Sequence, residues 1–441
     1  MKRQLWPLML TLLVFHAACA LAQDQFILHA DPAKVPAIAG QFGLTVLDQV
    51  PSHNLSLVLG PSGMSDQDVL GEVDNDNDVD YFEVAGHSIA PETIAKIQLN
   101  QSTTAILDTL QGRTTVTYFG VTTVSNYVNQ PAAQIVNLAS AQSTYSATGS
   151  GVVAIIDTGV DPSHSVLAGS LIAGYDFTRN QAGIPNEMKD IDPKTASLLQ
   201  SKTNELAKGS VASLNQSTTA ILDSSQASAI NPANLPPAFG HGTMVAGIVH
   251  LVAPTAKIMP LKAFKADGTA STYDIIRAIY YATDNGASVI NMSFSLLDPS
   301  SEFVRAVNYA TDHEVICVSS TGNNGKETMV YPASMVTVLG VASTDNSDQR
   351  STFSNYGASL AHLAAPGEGI VTTYPGNNYA GAWGTSFSAP FVTGTAAMLE
   401  QFSPGLTIHE AADVISHAKQ LTLSLGYGRL DIQQAIAEVA H

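Results

Sequence analysis

Residues 26–85 alternate short apolar runs with polar turns. Segments 26–28, 55–59 and 79–84 read as strands, and 32–40 and 66–72 as helices. That order predicts a small α+β unit of the split βαβ type over 23–87. The stretch 88–148 is rich in Thr, Ser, Gln and Asn without strong periodicity, the pattern of a linker or exposed arm. After Gly149 the character changes. Apolar runs at 152–156, 289–290, 315–318 and 336–341 alternate with amphipathic stretches such as 273–283. Buried strands alternating with helices predict an α/β fold over 149–441, a doubly wound, mostly parallel sheet flanked by helices.

Two features interrupt this pattern. Residues 179–238 form a polar insert far beyond ordinary loop length, and such inserts are usually functional or disordered. The decapeptide LNQSTTAILD stands at 99–108 and again, unchanged, at 214–223. Two copies so far apart are a duplication and do not make a solenoid.

Composition narrows the function classes. The chain has 441 residues, long enough for two or three folded units, with 19 Lys plus Arg against 37 Asp plus Glu and a formal charge of -18. That balance repels phosphate backbones and argues against nucleic acid as a partner. Residues 1–22 read as a secretory signal peptide: Lys2 and Arg3, an apolar core at 5–18, then Ala20-Leu21-Ala22. The apolar core falls short of the roughly 18 residues that span a bilayer, so no membrane span is expected and the product should be secreted, extracellular or periplasmic. If Cys19 leaves with the signal, Cys317 remains alone in an apolar run and reads as core. Asp74, Asp76, Asp78 and Asp80 alternate, but Val79 and Ala85 occupy the positions where an EF-hand needs Gly and Glu, so the cluster reads as a solvated turn.

Three motifs carry candidate chemistry. In GVVAIIDTGVD an apolar strand ends in Asp157, at the carboxyl edge where open α/β sheets gather ligands. In GHGTMVAGIV, Gly240 and Gly242 flank His241 before a helix, and in GTSFSAPFVTGTAAMLEQF, Ser386 stands just before an apolar helix. Singly, each is more often a turn, structural or capping residue. Together, Asp, His and Ser are the types that build a charge-relay nucleophile, in one of its three chain orders. A serine hydroxyl hardly ionises near neutral pH, so an imidazole must take its proton and a carboxylate must hold the imidazole's tautomer. Other readings remain at this point. IIDTGV matches an aspartic protease pattern, though no second Asp-Thr-Gly follows; GTSFS lacks the closing Gly of an α/β-hydrolase elbow; and a non-enzymatic binding protein could use the same scaffold.

With these motifs the chain resembles the subtilisin-like serine proteases, the subtilases, from Gly149 to about Ile436. The resemblance implies a secreted endopeptidase with Ser386 as nucleophile, His241 as general base and acid, and Asp157 as its orienter. Asn323, in STGNNG, and the Ser386 backbone N–H would form the oxyanion hole. Polypeptide substrates would pair with an edge segment at Gly268, Thr269, Ala270 and Ser271. The primary side-chain pocket would be walled by Ser293, Phe294 and Ser295 on one side and Ser320, Thr321 and Gly322 on the other. Ser295 stands where a Gly is expected, which would narrow that pocket. The unit at 23–87 resembles the family's ferredoxin-like inhibitory propeptide, implying a self-processing zymogen with its own propeptide as intramolecular inhibitor. No cofactor is implied. Many relatives bind calcium in surface loops, but Asp176, Asp190 and Asp192 form no convincing cage in this sequence, so the metal is left unassigned.

Overall fold

A computed structural model describes residues 24–89, 114–200, 213–214, 219–221 and 235–440. The signal-like segment 1–22 and the first decapeptide copy lie outside them. Two compact units divide at Ala85 and Gly86.

The first unit runs β1 (Gln25–His29), α1 (Val35–Phe42), β2 (Thr45–Val50), β3 (Leu55–Leu59), α2 (Asp66–Val73) and β4 (Tyr81–Val84). Its strands pair antiparallel in the order β2-β3-β1-β4, the split βαβ topology. Phe26, Leu28, Val58, Val69, Val73 and Phe82 fill its core. Strand β2 escapes the hydrophobic pattern because most of TVLDQV is exposed and a bulge breaks its register between Val46 and Asp48.

The second unit is built on an eight-stranded sheet. Its strands are β6 (Val152–Asp157), β7 (Gly174–Asp176), β8 (Gln181–Gly183), β9 (Lys257–Lys262), β11 (Val289–Met292), β12 (Ile316–Ser320), β13 (Leu339–Thr344) and β14 (Leu363–Pro366). The short strands β5 (His87–Ile89) and β10 (Thr269–Ser271) pair outside it. The order is β8-β7-β9-β6-β11-β12-β13-β14, parallel throughout except for the edge strand β8. From β6 the chain lays strands to one side and then to the other, so the carboxyl end of β6 is the topological switch point where α/β sheets open a crevice. Helices α3 (His241–Val252) and α6 (Thr385–Phe402) pack on each other and on this sheet, and α4 (Thr272–Asp284) and α5 (Ser301–Asp312) form a second packed pair. α3 is buried along its whole length and α6 over nearly all of its own, as expected of helices apolar all round. The apolar run at 336–341 yields its strand three residues late, since Val336 is 80% exposed.

The stretch 114–148 is not the exposed arm its composition predicts. It folds into a hairpin of Thr115–Tyr118 with Val121–Val124, then short helices Ser125–Val128, Pro131–Ile135 and Leu138–Tyr145. Tyr127, Val136, Leu138 and Ala141 join the main core. The helices are too short for a 3.6-residue period to accumulate, and polar residues carry structural bonds. The Gln130 side chain donates to the Val371 carbonyl at 2.8 Å and accepts the Val371 N–H at 3.0 Å, standing in for a strand partner. The insert 179–238 is likewise partly integrated, with strand β8, a turn at Glu187–Asp190 and a helix at Pro193–Gln200. In the second decapeptide copy, Thr219–Ile221 pairs antiparallel with the Asn378–Ala382 strand.

Two further histidines are buried, His250 on α3 and His164 in the turns after β6. His164 Nε2 lies 2.9 Å from the Asn378 carbonyl, and His250 Nδ1 lies 3.3 Å from the Tyr127 hydroxyl. Burial lowers each to about 4. Between that value and the unfolded value near 6.5 the unfolded chain binds more protons, so stability is complete above pH 6.5 and is lost as pH falls toward 4. Each histidine can supply up to about 1.4 kcal/mol per pH unit of this slope. Glu187, pushed up to about 7 by burial, has the opposite sign, so the test is a difference. Between pH 7 and 4.5 the urea midpoint of His250→Gln should fall less than that of the parent. Parallel curves would mean that His250 does not titrate with unfolding.

Candidate active site

Asp157 is the last residue of β6, and His241 is the first of α3. The His241 Nδ1 lies 2.7 and 2.9 Å from the two oxygens of Asp157, with both side chains about 4% exposed. The Thr158 N–H donates to Asp157 Oδ1 at 2.7 Å, fixing the carboxylate. Close approach explains the glycine after His241. A Cβ on Gly242 would stand 2.0 Å from the Gly159 carbonyl oxygen and 3.2 Å from Asp157 Oδ1. An aspartic dyad needs a second carboxylate sharing a proton, whereas both Asp157 oxygens face an imidazole.

Ser386 lies within the first turn of α6 rather than before it, and Pro390 is interior to the helix. Pro390 has no N–H to give the carbonyl four residues earlier, which belongs to Ser386. The Ser293 hydroxyl takes that place, donating to the Ser386 carbonyl at 3.0 Å, while the Ser386 hydroxyl donates to the Ser293 carbonyl at 3.2 Å. The Asn291 amide donates to the Ser293 hydroxyl at 2.9 Å, and its oxygen accepts from Thr393 at 2.8 Å. The His241 ring stacks obliquely at 5.4 Å against Phe387, the neighbour of Ser386.

Asn323 follows β12 and is buried. Its Oδ1 accepts both the N–H and the hydroxyl of Thr385, each at 2.9 Å. Two donors on one atom identify it as the oxygen and turn the NH₂ group the other way. Thr385 also accepts the Gly322 N–H at 3.1 Å, so the residue before Ser386 ties the helix start to the 320–323 loop. Neither Thr385 nor Asn291 stands out in the sequence.

The expected pocket walls 293–295 and 320–322 face each other. A Cβ on Gly322 would meet Ser295 Oγ at 3.2 Å, so the extra hydroxymethyl group reaches into the gap. Phe294 is buried against Phe264, their ring centroids 5.2 Å apart, leaving Ser295 to shape the opening. Ser295→Gly should raise kcat/KM for a large aromatic residue before the scissile bond, relative to alanine, by about tenfold. A peptide library with that position varied measures it, and an unchanged ratio would remove Ser295 from specificity.

The edge segment is strand β10, with Gly268 at its start, and it is already paired. Strand β5 lies antiparallel to it, His87 opposite Ser271, Ser88 opposite Ala270 and Ile89 opposite Thr269. The Thr272 N–H extends the ladder to the Gly86 carbonyl at 2.9 Å. The three loop carboxylates are engaged. Arg179 bridges Asp176 and Asp190, Lys262 also binds Asp190 at 2.8 Å, and Asp192 accepts backbone N–H groups of Lys194 and Thr195. Among the described residues no cluster of three or more His, Cys, Asp or Glu converges as a cation site.

A serine at a helix start, an imidazole held by a buried carboxylate and a doubly wound sheet that gathers them define the class: a serine-type endopeptidase acting on polypeptides. Residues 149–431 match the subtilase family, Peptidase_S8, and the chain belongs to that family. It is 36% identical over 196 residues to Subtilisin BL of Lederbergia lenta, covering 42% of this chain and 71% of that one. It is 33% identical over 288 residues to the thermophilic serine proteinase of Bacillus sp. (strain AK1), covering 64% and 61%. Among solved structures, fervidolysin from Fervidobacterium pennivorans, a keratinolytic enzyme related to subtilisin, matches with a TM-score of 0.68 at 21% identity. That match spans 95% of this chain and 62% of fervidolysin. The epidermin leader peptide processing serine protease of Staphylococcus aureus matches at 0.65 and 16% identity, spanning 94% and 99%. At these identities the two structures show the shared fold. Among the described residues no helix is long and apolar enough to cross a membrane.

Proposed function

We propose that Ser386 attacks the peptide carbonyl, with His241 as general base and then acid, Asp157 as its orienter, and Asn323 with the Ser386 N–H stabilising the tetrahedral oxyanion. The observation that carries this assignment is the 2.7 Å contact between His241 Nδ1 and a buried carboxylate. It leaves Nε2 as the nitrogen to receive the serine proton and stabilises the imidazolium that results. Hydrolysis then proceeds through an acyl-enzyme on Ser386 and needs no cofactor. A fluorophosphonate probe should label Ser386 and stop hydrolysis. Hydrolysis blocked only by a carboxyl-protease inhibitor, or no labelling at all, would overturn the assignment.

The same reading makes the protein a secreted zymogen. Strand β5 uses the backbone groups of β10 that a substrate would use by strand addition, so this part of the chain competes with substrate for the edge. The unit at 23–87 supports the reading through its split βαβ topology. A parallel sheet of high contact order folds slowly, which gives a folding aid and inhibitor at the N-terminus a physical rationale.

A further inference from the structure

Glu187 lies in the polar insert and is completely buried, far from the chain positions of the three proposed catalytic residues. Its Oε1 accepts the Thr158 hydroxyl and the Gly242 N–H, the latter at 3.3 Å, and its Oε2 accepts the Thr243 hydroxyl at 2.5 Å. Thr158 directly follows Asp157, and Gly242 and Thr243 directly follow His241. One carboxylate thus bridges the turn leaving β6 and the first turn of α3. Backbone bonds fix the bridge. The Val160 N–H donates to Pro185 at 3.0 Å and the Glu187 N–H to Val160 at 3.1 Å, while Thr243 accepts the Asp161 N–H at 2.8 Å.

We infer that Glu187 is a positioning residue of the proteolytic site, its carboxylate holding in register the two segments that carry Asp157 and His241. The inference rests on the catalytic assignment proposed above. A buried carboxyl without donors would be costly, and three donors converging from these two segments make it a tie rather than a defect. Its electrostatic role has the same geometry. Thr158 links Glu187 to Asp157: its single hydroxyl lies between the two carboxylates, nearer Glu187, and its N–H donates to Asp157, so the Glu187 carboxyl lies one residue behind the Asp157–His241 pair. The titratable groups around it are Asp157 on β6, His241 on α3, Lys262 on β9, and Asp161 and Asp190 in the flanking turns. Lys262 binds the Thr158 carbonyl at 2.7 Å and Asp190, and it is the cation that favours the ionised form of Glu187. Burial opposes it and pushes the carboxyl up to about 7. Near that value Glu187 carries part of its charge over the acid limb, and that charge favours the imidazolium, so its removal should move the acid limb of the kcat profile to lower pH.

The test compares wild type, Glu187→Ala and Glu187→Gln in the full secreted protein, by peptide hydrolysis and by the rate of fluorophosphonate labelling at Ser386. Glu187→Ala should lower kcat and the labelling rate by about 10- to 100-fold, the scale of a misplaced reacting group, with KM changed less than threefold. Glu187→Gln keeps the shape and an acceptor. It should recover kcat to within about threefold and displace the acid limb downward by about half a pH unit. If the alanine variant does not fold, the glutamine variant carries the test through the acid limb alone. A folded alanine variant with wild-type kcat, or a glutamine variant whose acid limb coincides with that of wild type, overturns the inference while leaving the catalytic assignment intact. Wild type that neither hydrolyses peptides nor takes the label overturns both.

Discussion

Ser386→Ala should lower peptide hydrolysis by on the order of 10⁶-fold, the scale of removing the nucleophilic serine in subtilisin. That is about 8 kcal/mol of transition-state stabilisation, a loss that removing the His241 imidazole should match because the two act as a unit. The fold should survive. The hydroxyl donates to the Ser293 carbonyl at 3.2 Å, and the reciprocal bond from Ser293 goes to the Ser386 backbone, which alanine retains. A neutral hydrogen bond of this kind is worth about 1 kcal/mol, so the variant should unfold within a few degrees of the parent. It should also accumulate as an unprocessed precursor, because the proposed nucleophile for maturation is the same atom. Intact mass and casein hydrolysis of the purified variant check both points. A purified alanine precursor that still matures would show that cutting is done by another enzyme.

The expected consequences divide along a line that also separates what the chain's pattern reveals from what it hides. The α/β class, the carboxyl-edge placement of Asp157 and the helix after His241 follow from apolar runs and glycines, because buried parallel strands and close backbone approach leave local marks. Glu187, Thr385 and Asn291 leave none. Each is a polar residue whose partners lie distant in sequence, and its role exists only once the sheet brings those partners together. The segment 114–148 was hidden for a related reason. Gln130 serves as backbone for a strand 241 residues away, which composition registers only as another polar residue. Strand β5, which no pattern in the sequence marks, straddles the boundary between two expected segments, and only its pairing with β10 shows that this boundary crosses the proposed substrate edge.

Asn323→Ala should reduce kcat by about 10²- to 10³-fold with little change in KM, the cost known for the equivalent donor in subtilisin. The reason lies in the orientation of its amide. Thr385 takes the oxygen with two donors, so the NH₂ group is committed to the other side before substrate arrives, and no reorganisation is needed when the carbonyl oxygen gains charge. A donor that strengthens only as charge develops acts on the transition state and spares ground-state binding, which is why the loss should fall on kcat. The alanine variant leaves both Thr385 donors without Asn323, so a part of the effect could come from a displaced helix start. Asn323→Asp separates the two causes. It keeps an acceptor for Thr385 and removes the NH₂ donor, placing a carboxylate where the oxyanion forms, so its loss should equal or exceed that of alanine. An aspartate variant nearer to wild type than the alanine variant would mean that Asn323 acts by holding Thr385, and that the oxyanion is stabilised by other groups.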